Sequence, residues 1–120
     1  MSARIWIVDD DRSVRFVLAT ALREAGYAVE GFDAAQAALD ALDTRAPPDL
    51  LFTDVRMPGQ DGLALLERLK ARLPQLPVVV MSANAHPSEL AFPQVVALLR
   101  KPFELDELLG WVEVCSRSAD

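Results

Sequence analysis

Four apolar runs along the chain stop abruptly at polar residues. Ile5-Trp6-Ile7-Val8 ends at Asp9-Asp10, Leu50-Leu51-Phe52-Thr53 at Asp54, Val78-Val79-Val80-Met81 at Ser82, and Val95 to Leu99 at Arg100-Lys101-Pro102. Each run is apolar along its whole length, as in a strand buried on both faces. Between the runs the apolar positions take helical spacing. Val14, Val17, Leu18, Ala21 and Leu22 predict a helix from about Arg12 to Ala25. Asp11 or Ser13 can cap its start, and Gly26 stands where a helix stops. Tyr27 to Phe32 reads as a short strand, followed by a second helix from about Ala34 to Asp43 in which Asp33 and Gln36 have capping-box spacing. Pro47-Pro48 breaks the chain before the third strand, and a loop from Arg56 to Gln60 leads to a third helix near Gly62–Arg72, with Leu63, Leu66, Leu69 and Leu73 at core spacing. Pro87 to Phe92 has the makings of a short helix ended by Pro93. The last helix runs from about Glu104 to Cys115, with Leu105, Leu108, Leu109 and Val112 as its buried stripe.

Strands and helices thus alternate without a break, which predicts an α/β fold with a parallel sheet covered by helices on both faces. Right-handed crossovers leave few topologies for five such units. The expectation is a flavodoxin-like, doubly wound five-stranded sheet of order 2-1-3-4-5, with a shortened or irregular fourth helix. In that order the first and third strands are neighbours, so Asp9, Asp10 and Asp54 meet at the switch point, where open α/β sheets bind their ligands. No linker or repeat divides the sequence, and 1–120 is read as a single domain.

Composition narrows the function. A net charge of −6 argues against a nucleic-acid-binding surface, which is normally basic. The lone Cys115 excludes an internal disulfide and a multi-cysteine zinc site. No apolar run approaches the roughly 20 residues of a membrane span, and Met1-Ser2-Ala3-Arg4 is followed by no apolar signal core. The expected location is cytoplasmic.

The strand ends carry the candidate chemistry. Three carboxylates brought together repel one another, and a hard divalent cation, Mg²⁺ above all, resolves the conflict with one or two carboxylates plus phosphate oxygens and waters as ligands. Lys101 adds a positive charge, and Ser82 can donate a hydrogen bond to a phosphoryl oxygen. Phosphoryl transfer asks chiefly for positioning and charge stabilisation. The set therefore suffices if one carboxylate is the nucleophile. Asp54, between the other groups, is the natural candidate. It needs no companion base, because a carboxylate is ionised at neutral pH.

Ile7-Val8-Asp9-Asp10-Asp11, Thr53-Asp54-Val55-Arg56-Met57-Pro58-Gly59-Gln60-Asp61-Gly62, Met81-Ser82-Ala83 and Lys101-Pro102-Phe103 together resemble the receiver domains of two-component response regulators, in particular those on nitrogen-regulator-type transcriptional regulators. The resemblance runs in order along essentially the whole chain. It implies that Asp54 is the phosphoacceptor, that Asp10 ligates Mg²⁺ directly and Asp9 through water, and that the Arg56 carbonyl completes the protein ligands. Ser82 and Lys101 would contact the phosphoryl group, with Lys101-Pro102 as a cis peptide. Ala83 would keep the site open, and the Arg56 and Asn84 side chains would tune how fast the phosphoryl group is lost. The implied partners are a histidine kinase or histidine phosphotransfer protein and an output domain or downstream protein not in this chain. The resemblance also allows a phosphorylation-dependent dimer, without direct nucleic-acid or membrane binding by this domain.

The chain departs from the family between Ser82 and Lys101. The segment is a few residues short, Pro93 falls where the fourth helix normally runs, and Leu98 replaces the switch aromatic. The expectation is a complete acceptor site with an altered signalling face. Two rival readings stand beside it. One is a pseudo-receiver, an interaction module that is never phosphorylated. The other is a small Mg²⁺-dependent aspartyl phosphohydrolase, disfavoured because Arg56 occupies the position where such enzymes generally carry a second acid. Among single residues, Asp11 reads as a helix cap, Asp61 as a turn residue, His86 as a surface histidine, and Cys115 and Trp6 as core. For Trp111, core and partner interface are equally open.

Overall fold

The computed structural model describes residues 3–54, 56–57, 60–82, 94–100 and 104–119. Its elements follow the chain as β1 (Arg4–Val8), α1 (Arg12–Glu24), β2 (Ala28–Phe32), α2 (Ala35–Leu42), β3 (Leu50–Asp54), β4 (Arg56–Met57), β5 (Gln60–Asp61), α3 (Gly62–Arg72), β6 (Val78–Ser82), β7 (Val95–Arg100) and α4 (Leu105–Ala119). Five strands form one parallel sheet in the order β2-β1-β3-β6-β7. Counted along that sheet alone, the order is 2-1-3-4-5, the flavodoxin-like arrangement expected from the sequence. The short antiparallel pair β4–β5 stands where only a loop was expected.

Alternation along each strand divides the core into two layers. Trp6, Val8, Leu51, Val78 and Val80 face α2 and α3, where they meet Ala35, Ala38, Leu39, Leu65, Leu66 and Leu69. Ile5, Ile7, Leu50, Phe52, Val79 and Met81 point the other way, onto Leu18 and Leu22 of α1 and Leu108 and Val112 of α4. Successive side chains of a strand leave opposite faces, so a sheet covered on both sides needs uninterrupted apolar runs. Trp6 is core, as expected, with its ring 4.8 Å from that of Phe32. Trp111 is partly buried against the α1/α4 layer.

Local chemistry sets the helix ends. The Asp11 carboxylate accepts from the N–H groups of Ser13 (2.8 Å) and Val14 (3.3 Å), capping α1. At the other end Gly26 takes φ 99°, with its N–H on the Arg23 carbonyl and the N–H of Tyr27 on that of Leu22. This is the Schellman closure, which places glycine just beyond the helix because φ > 0 is strained for other residues.

Three sequence expectations need correction. Asp33 does not cap α2. The cap position falls one residue later, on Ala34, without a side-chain bond, and Gln36 instead reaches forward one turn to Asp40 (2.8 Å). Val17, assigned to the buried face of α1, is half exposed, and the adjacent Phe16 is 70 % exposed; the buried stripe runs through Leu18, Ala19 and Leu22. Leu105, assigned to the buried stripe of α4, is 39 % exposed at its first position, whereas Leu108 and Val112 are fully buried.

Beyond the core, Gln94 ties two connections together. Its buried amide Nε2 donates to the carbonyls of Leu73 and Leu76 (3.3 and 3.2 Å), while the main-chain carbonyl of Gln94 accepts from the N–H of Val78. Two residues after it, Val96 is an extra residue in the β6–β7 register, a bulge on the edge strand. The short helix expected over 87–92, Pro93, Ala83, Asn84, His86 and the Lys101-Pro102 peptide lie outside the described residues, as do the side chains of Ser82 and Cys115.

Candidate functional site: an acidic pocket at the strand ends

Sheet register converts four sequence motifs into one place. Val8 pairs with Thr53, so the next residues, Asp9 and Asp54, stand level at the ends of β1 and β3. Asp54 pairs with Met81, and Ser82 with Arg100, the residue before Lys101. One carboxylate oxygen from each of Asp9, Asp10 and Asp54 lies within 4.8 Å of the others. Asp9 and Asp54 are buried and Asp10 is exposed. Burying carboxylates is unfavourable without compensating partners.

The backbone around Asp9 is held at each end. Its N–H donates to the Phe32 carbonyl (3.1 Å), which extends the β1–β2 pairing by one rung. Its carboxylate accepts from the N–H of Asp11 (2.9 Å). The Arg15 guanidinium donates to its main-chain carbonyl (2.6 Å). Asp10 is thereby left at the tip of the turn, turned toward solvent. Beneath the pocket the buried Thr53 hydroxyl bonds to the Asp54 carbonyl (3.1 Å).

The donor set fits a hard cation. Three carboxylates within reach of one ion, one of them open to solvent, match the oxygen-rich and partly hydrated sphere that Mg²⁺ prefers. Among the sequence candidates, Asp9, Asp10 and Asp54 are brought together. Arg56 lies in β4, two residues beyond Asp54, and Ser82 ends β6 on the same edge of the sheet. Lys101 follows the last described residue of β7. Sequence reasoning missed Arg15. Its signal was present in the sequence: a cation four residues after Asp11, on the helix that leaves the pocket.

Comparison with known proteins agrees with this geometry. Residues 5–113 match the family model of the response regulator receiver domain. The chain is 46 % identical over 111 residues to the DNA-binding transcriptional regulator NtrC of Klebsiella pneumoniae, a match covering 90 % of this chain and 24 % of NtrC. It therefore spans about a quarter of the length of that relative. Among solved structures, NtrX from Brucella abortus in complex with ATP superposes with a TM-score of 0.88 at 33 % identity, over 98 % of this chain and 28 % of NtrX. The receiver domain of the Francisella response regulator 1452 superposes with a TM-score of 0.89 at 25 % identity, over 99 % of this chain and 100 % of that one. By sequence, fold and the acidic residues at its strand ends, the chain belongs to the response regulator receiver family.

Proposed function

We propose that the chain, over 1–120, is a single phosphorylatable receiver domain whose acceptor is Asp54. The observation that carries the reading is the convergence of Asp9, Asp10 and Asp54 within 4.8 Å at the ends of two adjacent strands. Asp10 and Asp54, with Asp9 behind them and the carbonyl of Arg56 beside them, would hold Mg²⁺. When bound, the ion supplies charge neutralisation for the three acidic groups and for phosphoryl oxygens.

In the proposed reaction a carboxylate oxygen of Asp54 attacks the phosphorus of a phosphohistidine on a kinase or phosphotransfer protein. The O–P bond forms as the P–N bond breaks, and the electron pair stays on the imidazole nitrogen, which takes up a proton. Water later cleaves the acyl phosphate and returns Asp54 to its carboxylate. Lys101 and Ser82 would contact the transferred group from the ends of β7 and β6. The protein is then a switch that resets itself, without turnover of an outside substrate. A cytoplasmic location belongs to the same reading, and no described helix is long and apolar enough to cross a membrane.

The output is expected to depart from that of relatives with an aromatic residue at the Leu98 position. Leu98 is partly buried against the α2/α3 layer, so an apolar side chain already fills space on that face. Labelling with a radioactive phosphoramidate in the presence of Mg²⁺ tests the acceptor assignment. The label should be released by hydroxylamine, as an acyl phosphate is, and Asp54→Asn should not acquire it. A hydroxylamine-stable label, or one retained by Asp54→Asn, overturns the assignment.

A further inference from the structure

Arg15 is the one basic residue that the described structure joins to the backbone of the acidic turn. It stands in the second turn of α1, partly buried, and its guanidinium reaches back to the Asp9 carbonyl (2.6 Å). Its path crosses β2 at Gly31, the residue paired with Ile7 of β1. A Cβ built on Gly31 would sit 3.5 Å from Arg15 Cδ, an ordinary van der Waals contact, so only atoms beyond Cβ would press on the arginine stem. Arg15 therefore reaches the pocket along the face of Gly31, where there is room for a Cβ and contact with anything larger.

The contact has a definite mechanical consequence. Phe32 holds the N–H of Asp9, Asp11 holds its carboxylate, and Arg15 holds its carbonyl. The carbonyl belongs to the peptide that leads into Asp10, so the bond fixes the plane from which the Asp10 side chain departs. The Asp10 side chain therefore departs from a peptide that the arginine holds, beside an Asp9 carboxylate held by the Asp11 N–H. Its charge also offsets part of the charge that the three carboxylates concentrate.

We infer that Arg15, laid across Gly31, is a positioning residue that sets the divalent-cation affinity of the Asp9–Asp10–Asp54 pocket. The inference rests on the reading of that pocket as a cation site. Geometry and charge make opposite predictions for loss of the arginine. Removing a cation from an acidic site would tighten metal binding, whereas releasing the turn would weaken it. The geometric effect should dominate, because groups that orient metal ligands typically change affinity by about 10–100-fold when removed.

Titration of the folded protein with MgCl₂, followed by the amide NMR shifts of Asp9 to Asp11, separates these effects. Arg15→Met should weaken Mg²⁺ binding about tenfold. Arg15→Lys keeps the charge on a point donor without the planar fork, and should fall between Arg15→Met and the unmodified protein. Gly31→Val keeps the arginine and suits a strand, yet should weaken binding by displacing it. The inference is overturned if Arg15→Met binds Mg²⁺ as tightly as, or more tightly than, the unmodified protein. It is equally overturned if Arg15→Met and Gly31→Val lose thermal stability while their Mg²⁺ affinity is unchanged. Absence of Mg²⁺ binding by the unmodified protein, or binding unaffected by Asp10→Asn, would instead overturn the reading of the pocket, and the role of Arg15 with it.

Discussion

Asp9 and Asp54 stand level at the ends of neighbouring parallel strands, both buried, with carboxylate oxygens no more than 4.8 Å apart. Two negative charges at that separation repel by about 3 kcal/mol at an effective dielectric constant of about 20. Screening and the partners of each carboxylate reduce the net effect. In metal-free buffer, Asp54→Asn should therefore be more stable than the unmodified protein, by about 1 kcal/mol, seen as a rise of about 3–6 °C in melting temperature. Adding Mg²⁺ should raise the melting temperature of the unmodified protein by mass action and do less for the variant. Calorimetry with and without Mg²⁺ checks both halves. A destabilised Asp54→Asn would show that the carboxylate is a net structural asset.

Asp11 lies beside two proposed metal ligands but is engaged with the N–H groups of Ser13 and Val14. Asp11→Ala should lose the cap of α1 and about 1 kcal/mol of stability, while phosphodonor-dependent labelling of Asp54 persists. Loss of labelling in a folded Asp11→Ala protein would move Asp11 from cap to site residue.

Two apolar residues of α1 should respond very differently to truncation. Leu22 is fully buried and Phe16 is 70 % exposed. Leu22→Ala should cost about 2–5 kcal/mol, and Phe16→Ser should stay within about 0.5 kcal/mol of the unmodified protein. Urea denaturation distinguishes them. A large loss for Phe16→Ser would mean that the helix face has been assigned wrongly.

Gln94 supplies hydrogen bonds to two carbonyls of the α3–β6 turn from a buried position. Gln94→Leu would keep the volume and strand the Leu76 carbonyl, while that of Leu73 keeps the Leu76 N–H, so a loss of about 1–3 kcal/mol is expected from the unfolding free energy. An unchanged midpoint would show that water replaces the amide.

Most of the frame was legible in the sequence because the parallel sheet writes itself as uninterrupted apolar runs. Ile5–Val8, Leu50–Thr53 and Val78–Met81 are strands in the structure, and the register that follows brings Asp9 and Asp54 together. Gly26 and Asp11 were readable for the same reason: each satisfies a local backbone requirement at a helix end. What remained illegible depends on tertiary direction. Val17 fits the apolar period of α1 but falls just outside the arc that faces the sheet. Asp33 has capping spacing, yet α2 starts one residue later. Arg15 and Gly31 become partners only when α1 folds back over β2, and Gln94 only when β7 docks beside β6. Neither pairing leaves a periodic trace.

Whether Asp54 is a Mg²⁺-dependent phosphoacceptor is decided by intact mass after incubation with a small-molecule phosphodonor, run with Mg²⁺, with a chelator, and on Asp54→Asn. The unmodified protein in Mg²⁺ should gain one phosphoryl group, and neither of the other two arms should gain any. A folded protein that gains nothing in Mg²⁺, or an Asp54→Asn variant that gains as much, would contradict that role for Asp54.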